Sequence, residues 1–199
     1  MRGFWLDIED NGCSNNYCYN ERMQEQMPES RMEAISNELK KLYKEDQIER
    51  LNIDFSQPQE ALQRVTQEMM EHDKVRLARV HELINRKELK TGQDFLCAAM
   101  ICQHSPRVED YALAHLLALK ASEMEYVPQE GEPQPLWLAA AAKDRWLVSI
   151  GQPQDFGTQY TRTPTTSPGQ SERHPVNPNI TDETRKQWHV PPLNEQKER

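Results

Sequence analysis

The run Phe95-Leu96-Cys97-Ala98-Ala99-Met100-Ile101-Cys102 decides the fold. Its apolar residues cover every side of a helix, which suits a helix packed against several neighbours. Thr91 or Gly92 opens it. Ser105-Pro106 closes it, because proline disfavours a helical conformation in the residue before it. This is the predicted core element, and the rest of the chain is read outward from it.

Downstream, Val108 to Glu125 carries Leu113, Leu116, Leu117, Ala121 and Met124 at helical spacing. A turn rich in Pro, Glu and Gln, residues 128–135, separates it from a further helix, Leu136 to Ile150, with Leu138, the Ala139 to Ala142 run, Trp146 and Leu147. Gly151 supplies its C-terminal cap. Upstream, Met32, Ile35, Leu39 and Leu42 step by three and four and predict an amphipathic helix over Glu29 to Leu51. After Ser56-Gln57-Pro58 a long helix runs to about Lys87–Lys90, with Leu62, Val65, Met69, Val80 and Ile84 on its inner stripe. No β pattern competes. The reading is all-α: a compact bundle of about five helices. The hairpins at 91–150 are weakly tetratricopeptide- or Sel1-like, without a second copy at a fixed period.

The flanks lack this periodicity. Residues 1–28 mix Gly and Asn with scattered aromatics and are expected to be disordered. The helical domain is expected over 29–160. Residues 161–199 are expected to form an extended Pro-rich tail with a short helix at 182–188 capped by Thr181 or Asp182, since seven of the 13 Pro follow Gln152.

Acidic residues outnumber basic ones 32 to 24, a net charge of −8, so no uniform positive field exists to hold nucleic acid or an anionic membrane. No apolar run reaches the roughly 20 residues needed to cross a bilayer. Asp7, Glu9 and Asp10 stand where a signal peptide wants basic and then apolar residues. A cytoplasmic, soluble protein is expected.

Polar residues on apolar stripes are the informative positions, because a desolvated charge is costly unless it is paired or used. Extending the first stripe reaches Asp46 and Arg50; extending the second reaches Asp73 and Arg76. The i,i+4 and i,i+3 spacings allow either rim ion pairs or a polar cleft between the two helices. Gln103-His104 ends the core helix, where an imidazole caps carbonyls or serves as acid or base. Asp144-Arg145 are neighbours that cannot face each other on a helix. Arg145 therefore either closes an inter-helix bridge or holds a carboxylate or phosphate. The loop Gly151-Gln152-Pro153-Gln154-Asp155-Phe156-Gly157-Thr158-Gln159 is built for shape and is expected to fold back over the end of the core helix, bringing Gln154 or Gln159 towards His104 and Arg145. No metal is expected, since no close Cys or His pairs have ligand spacing, and no cofactor. Cys97 and Cys102 read as small hydrophobes, and no nucleophile elbow exists.

Asp46-Gln47 with Arg50, Asp73, Gln103-His104, Asp144-Arg145 and the Gly151–Gln159 loop, in this order, resemble an uncharacterised, mainly bacterial helical domain family with Asp-Gln-x-x-Arg, Gln-His, Asp-Arg and Gly-x-Pro-Gln-x-Tyr-Gly-Thr-Gln motifs. Phe156 stands at the Tyr position, and Arg76 where Asn is frequent. The segments Pro175-Val176-Asn177-Pro178, Thr181 to Arg185 and Val190-Pro191-Pro192-Leu193 fit the close of that pattern. The resemblance covers residues 40 to 195 and implies a helical fold and one shared polar site, with no activity attached.

The expected function is a non-catalytic binding or interaction module. Its cleft is rimmed by Asp46, Arg50, Asp73, Arg76, Gln103, His104, Asp144, Arg145, Gln154, Thr158 and Gln159, and its partner is a small polar ligand or a protein or peptide. The alternative is an enzyme in which His104 and an aspartate, Asp144 being the candidate, act as acid and base while Arg145 holds an anionic substrate.

Overall fold

A computed structural model describes residues 27–161 and 171–196. Among the described residues six helices carry the fold: α1 (Glu29–Leu51), α2 (Gln59–Asn85), α3 (Gly92–Cys102), α4 (Val108–Glu123), α5 (Pro135–Ser149) and α6 (Asp182–Gln187). The protein is an all-α bundle, as the periodicity predicts. The expectation for residues 1–28 falls outside the described residues except at Met27, which packs against the core, and Pro28.

α3 is central because it has no polar face to give to water. From Leu96 to Cys102 every residue is buried, and α3 packs against α1, α2, α4 and α5. Each fully buried Leu or Ile contributes about 1.5–3 kcal/mol relative to exposure. Thr91 fixes the start through a capping box: its hydroxyl accepts from Asp94 N–H while the Asp94 carboxylate accepts from Thr91 N–H. α2, α4, α5 and α6 all stop in the same way. Lys87, Glu125, Gly151 and His189 adopt positive φ, and the next residue's N–H reaches back five positions, as Gln152 does to the Leu147 carbonyl at 2.9 Å. Only one of these four stops uses glycine, so Gly151 is the one end that composition reveals.

The first half of α2 projects beyond the core. Leu62 and Met69 are half-buried, but Val65 is exposed, which corrects its assignment to the inner stripe.

The largest correction concerns the chain after α5. Residues 171–196 are not an extended tail but lie folded against α5. β1 (Tyr160–Thr161) pairs antiparallel with β2 (Glu172–Arg173), and Gln154 bridges Val176 in parallel. These short pairings have no alternating pattern of their own, which is why sequence periodicity passes over them. The short helix forms as α6, capped by Thr181. Its Arg185 is fully buried and donates to the carbonyls of Asp155, Phe156 and Ile180, so a cation closes the loop against the returning chain. Trp188 stacks beside His115 and tilts against Phe156, and Val190 is buried with Phe156.

Candidate functional site

The polar residues picked out by the apolar stripes separate into two structures that meet at Gln103-His104. The expected single cleft is therefore corrected: Asp46, Arg50, Asp73, Arg76 and His104 belong to one group, and Gln103, Arg145, Thr158 and Gln159 to another.

The first group locks α1 to α2 and to the end of α3. Asp46 is fully buried. Its carboxylate accepts from Arg50 Nη1 at 2.7 Å and Gln47 Nε2 at 2.7 Å, and His104 Nδ1 lies 3.0 Å away. Arg50 Nη2 donates across to Asp73 at 2.7 Å. Arg76, itself buried, donates to Asp73 at 2.8 Å and to Glu49 at 2.7 Å. Each pair is thus both intrahelical and tied between helices. Burial works to raise the Asp46 carboxyl, but His104, Arg50 and Gln47 outweigh it and hold the acid below the usual carboxylate range. Burial likewise works to lower Arg76, but Glu49 and Asp73 hold it above the ordinary arginine value. Burial pushes His104 below its ordinary value against the pull of Asp46, so the imidazole is neutral at pH 7. An ionised carboxylate only accepts hydrogen bonds. Nδ1 therefore carries the proton and Nε2 keeps its lone pair.

Sequence reasoning misses Glu49 and His72, which extend this network at its edge, with His72 Nδ1 2.8 Å from Glu49. Both lie off the apolar stripe. The available signal is the i,i+3 step from Asp46 to Glu49.

The second group is built by the loop after α5. Asp144 is fully buried, and its carboxylate accepts from the backbone N–H groups of Asp155, Phe156 and Thr158 and from the Thr158 hydroxyl, at 2.8–2.9 Å for the shortest contact of each. It takes no partner from His104, whose acid is Asp46. Burial raises the Asp144 carboxyl, while the loop donors pull the other way. Gln154, also fully buried, donates to the Gln159 and His174 carbonyls and accepts from Gln159 N–H. It therefore faces the returning chain rather than His104. Asp144 and Gln154 are the frame that shapes the loop.

That frame delivers Gln159 to Arg145. Gln159 Oε1 accepts from Arg145 Nε at 3.3 Å, and the Gln103 carbonyl accepts from Arg145 Nη1 at 2.6 Å. The guanidinium carbon lies 5.9 Å from the Tyr111 ring centre. Among the described residues no carboxylate lies within salt-bridge distance of Arg145. Burial lowers it from the ordinary arginine value, and Arg50 adds to this, yet a guanidinium stays protonated at neutral pH. Arg145, Gln103, Thr158 and Gln159 line one side of a cleft of about 720 Å³. Trp137, Ala141 and Tyr160 line more of it, and Val190, Pro191, Glu195 and Gln196 come from the returning chain. Sequence reasoning misses this last wall, because only Val190 and Leu193 interrupt a segment that otherwise reads as polar and Pro-rich.

Among the described residues no three His, Cys, Asp or Glu side chains gather as a metal site. Burial pushes the Cys97 thiol up to about 12 and Cys102 higher still, which leaves neither as a nucleophile. No described helix is long and apolar enough to cross a membrane. Compared with protein-family models, with curated proteins and with solved structures, the chain matches none of them.

Proposed function

We propose that this protein is a helical binding module that holds a small polar ligand, through an anionic carboxylate or phosphate group, against Arg145. One observation carries the reading: Arg145 lines a cleft with its cation held in place by a carbonyl and an amide, neither of which neutralises it. A desolvated guanidinium pre-oriented in this way gains more from a bidentate anion than a solvated surface cation does. Gln103, Thr158 and Gln159 supply neighbouring amide and hydroxyl groups, and Trp137 with Val190 supplies apolar wall. A peptide carboxylate satisfies the same chemistry as a small acid. Membership of the helical family with the Gly-x-Pro-Gln loop, and a cytoplasmic location, belong to the same proposal.

The test is thermal-shift screening with a panel of carboxylates, phosphate esters and short peptides. A stabilising compound should lose its effect in Arg145→Ala and retain part of it in Arg145→Lys. Retention in Arg145→Ala would overturn the reading.

A second reading rests on a separate observation. Asp46 fixes the tautomer of His104 and leaves Nε2 as a lone-pair base, the arrangement of a general acid–base pair. In this reading the acid that orients the base is Asp46 rather than Asp144. Turnover of a compound that binds at Arg145, abolished in His104→Gln while binding persists, would favour it over simple binding.

A further inference from the structure

We infer that residues 191–196 are a latch that closes the Arg145 cleft, so that recognition is completed by the segment returning from α6. The inference rests on the cleft being the ligand site and adds how that site opens.

The segment has a firm root and a light tip. At the root, Arg185 and Val190 are buried and Trp188 packs on Phe156. Beyond them Pro191-Pro192 leads to residues held mainly by polar bonds. Gln196 Nε2 donates to the Phe156 carbonyl at 3.0 Å and to the Pro191 carbonyl at 2.8 Å, and Arg173 Nη2 donates to the Leu193 carbonyl at 3.0 Å. Such a tip can detach while the root stays docked, since few apolar contacts oppose its release.

The tip also has a seat cut for it. Gly157, at φ +86°, lies directly beneath Leu193. A Cβ built there would stand 2.6 Å from Leu193 Cδ2 and 3.1 Å from Gln196 Oε1. The Gly-Thr-Gln part of the loop therefore does two things at once: it turns towards Arg145, and it leaves room for the latch. When seated, the latch places Pro191, Glu195 and Gln196 on the cleft wall facing the loop and α5. A ligand touching both walls binds the closed form better than the open one, so its binding and latch closure favour each other.

Access to the cleft can be read without a ligand. The full chain carrying Cys13→Ser, Cys18→Ser and Ala141→Cys places one reactive thiol in the cleft wall. Labelling by an anionic methanethiosulfonate reagent should be at least about tenfold faster when Leu193→Ala or Gln196→Ala is added. Slow amide exchange in α3 should persist in both, showing that the bundle is intact. Should Leu193→Ala fail to fold, Gln196→Ala, which removes side-chain hydrogen bonds and no buried apolar group, gives the result alone. Equal labelling rates with and without these substitutions would overturn the latch. A screen that finds no ligand overturns the binding reading but leaves the labelling result standing, so the two failures are distinguishable.

Discussion

Asp46 and Asp144 are both fully buried, and both sit near an arginine in their own helix. Their surroundings use them in opposite ways. Around Asp46, carboxylates and guanidiniums meet each other: Arg50 spans Asp46 and Asp73, Arg76 spans Asp73 and Glu49, and no cation is left over. Asp144 is consumed by backbone N–H groups, and its neighbour Arg145 meets no anion among the described residues and lines a cleft. A charge network that closes on itself fixes helix register. One that diverts its acid to the backbone leaves its cation for something else. The comparison supports the proposed ligand site in the second region and makes the first a fastener.

Removing the acid should therefore cost most where cations depend on it. Asp46→Ala leaves Arg50 and His104 without a shared buried partner and should lower stability by about 3–5 kcal/mol in denaturant melts. A loss below about 1 kcal/mol would mean that the network is no fastener. Asp144→Ala strands three backbone donors, two of which water can reach once the loop loosens, and should cost about 2–3 kcal/mol. Amide exchange at Asp155, Phe156 and Thr158 should accelerate in the same variant. If it does not, some other contact shapes the loop.

The fastener should also respond to acid. The folded His104 has a depressed pKa, so between the unfolded value near 6.5 and the folded value the unfolded chain binds the proton more readily. Stability is fully present above about pH 6.5 and falls as pH drops through that window. His104→Gln should flatten this part of the stability–pH curve, leaving the contribution of His115, which burial also depresses. An unchanged slope would show that His104 does not titrate there.

Arg145 predicts the reverse pattern from Asp46. With no carboxylate among the described residues to leave unpaired, Arg145→Ala should cost the free protein only its hydrogen bonds to the Gln103 carbonyl and Gln159, about 1–2 kcal/mol, while abolishing ligand stabilisation. The smallest effect separates the two regions. His104→Ala and Gln159→Ala should be additive within about 0.5 kcal/mol in a double-mutant cycle, because their side chains bond to different partners. Coupling above about 1 kcal/mol would join them into one network.

The helices are legible in the sequence because burial of a 3.6-residue stripe leaves a period, and Gly151 and Pro58 mark ends by backbone chemistry that needs no partner. The returning chain is not legible for the converse reason. Besides the nearby Ile180 carbonyl, the buried Arg185 donates to the Asp155 and Phe156 carbonyls about thirty residues away, and nothing adjacent to it in sequence signals those partners. The stripes likewise identify Asp46, Arg50, Asp73 and Arg76 as unusual, yet a stripe states only that a charge is buried. Whether its partner is a carboxylate, a backbone N–H or a ligand is decided by tertiary contacts. That is why the different uses of Asp46 and Asp144 emerge only in three dimensions.

The most direct measurement is side-chain NMR of the arginines. In ¹⁵N-labelled protein titrated with inorganic phosphate or citrate, the Nε–Hε resonance of Arg145 should move with saturation, while those of Arg50 and Arg76, already engaged by carboxylates, stay fixed. A stationary Arg145 signal, or shifts confined to Arg50 and Arg76, would contradict the account.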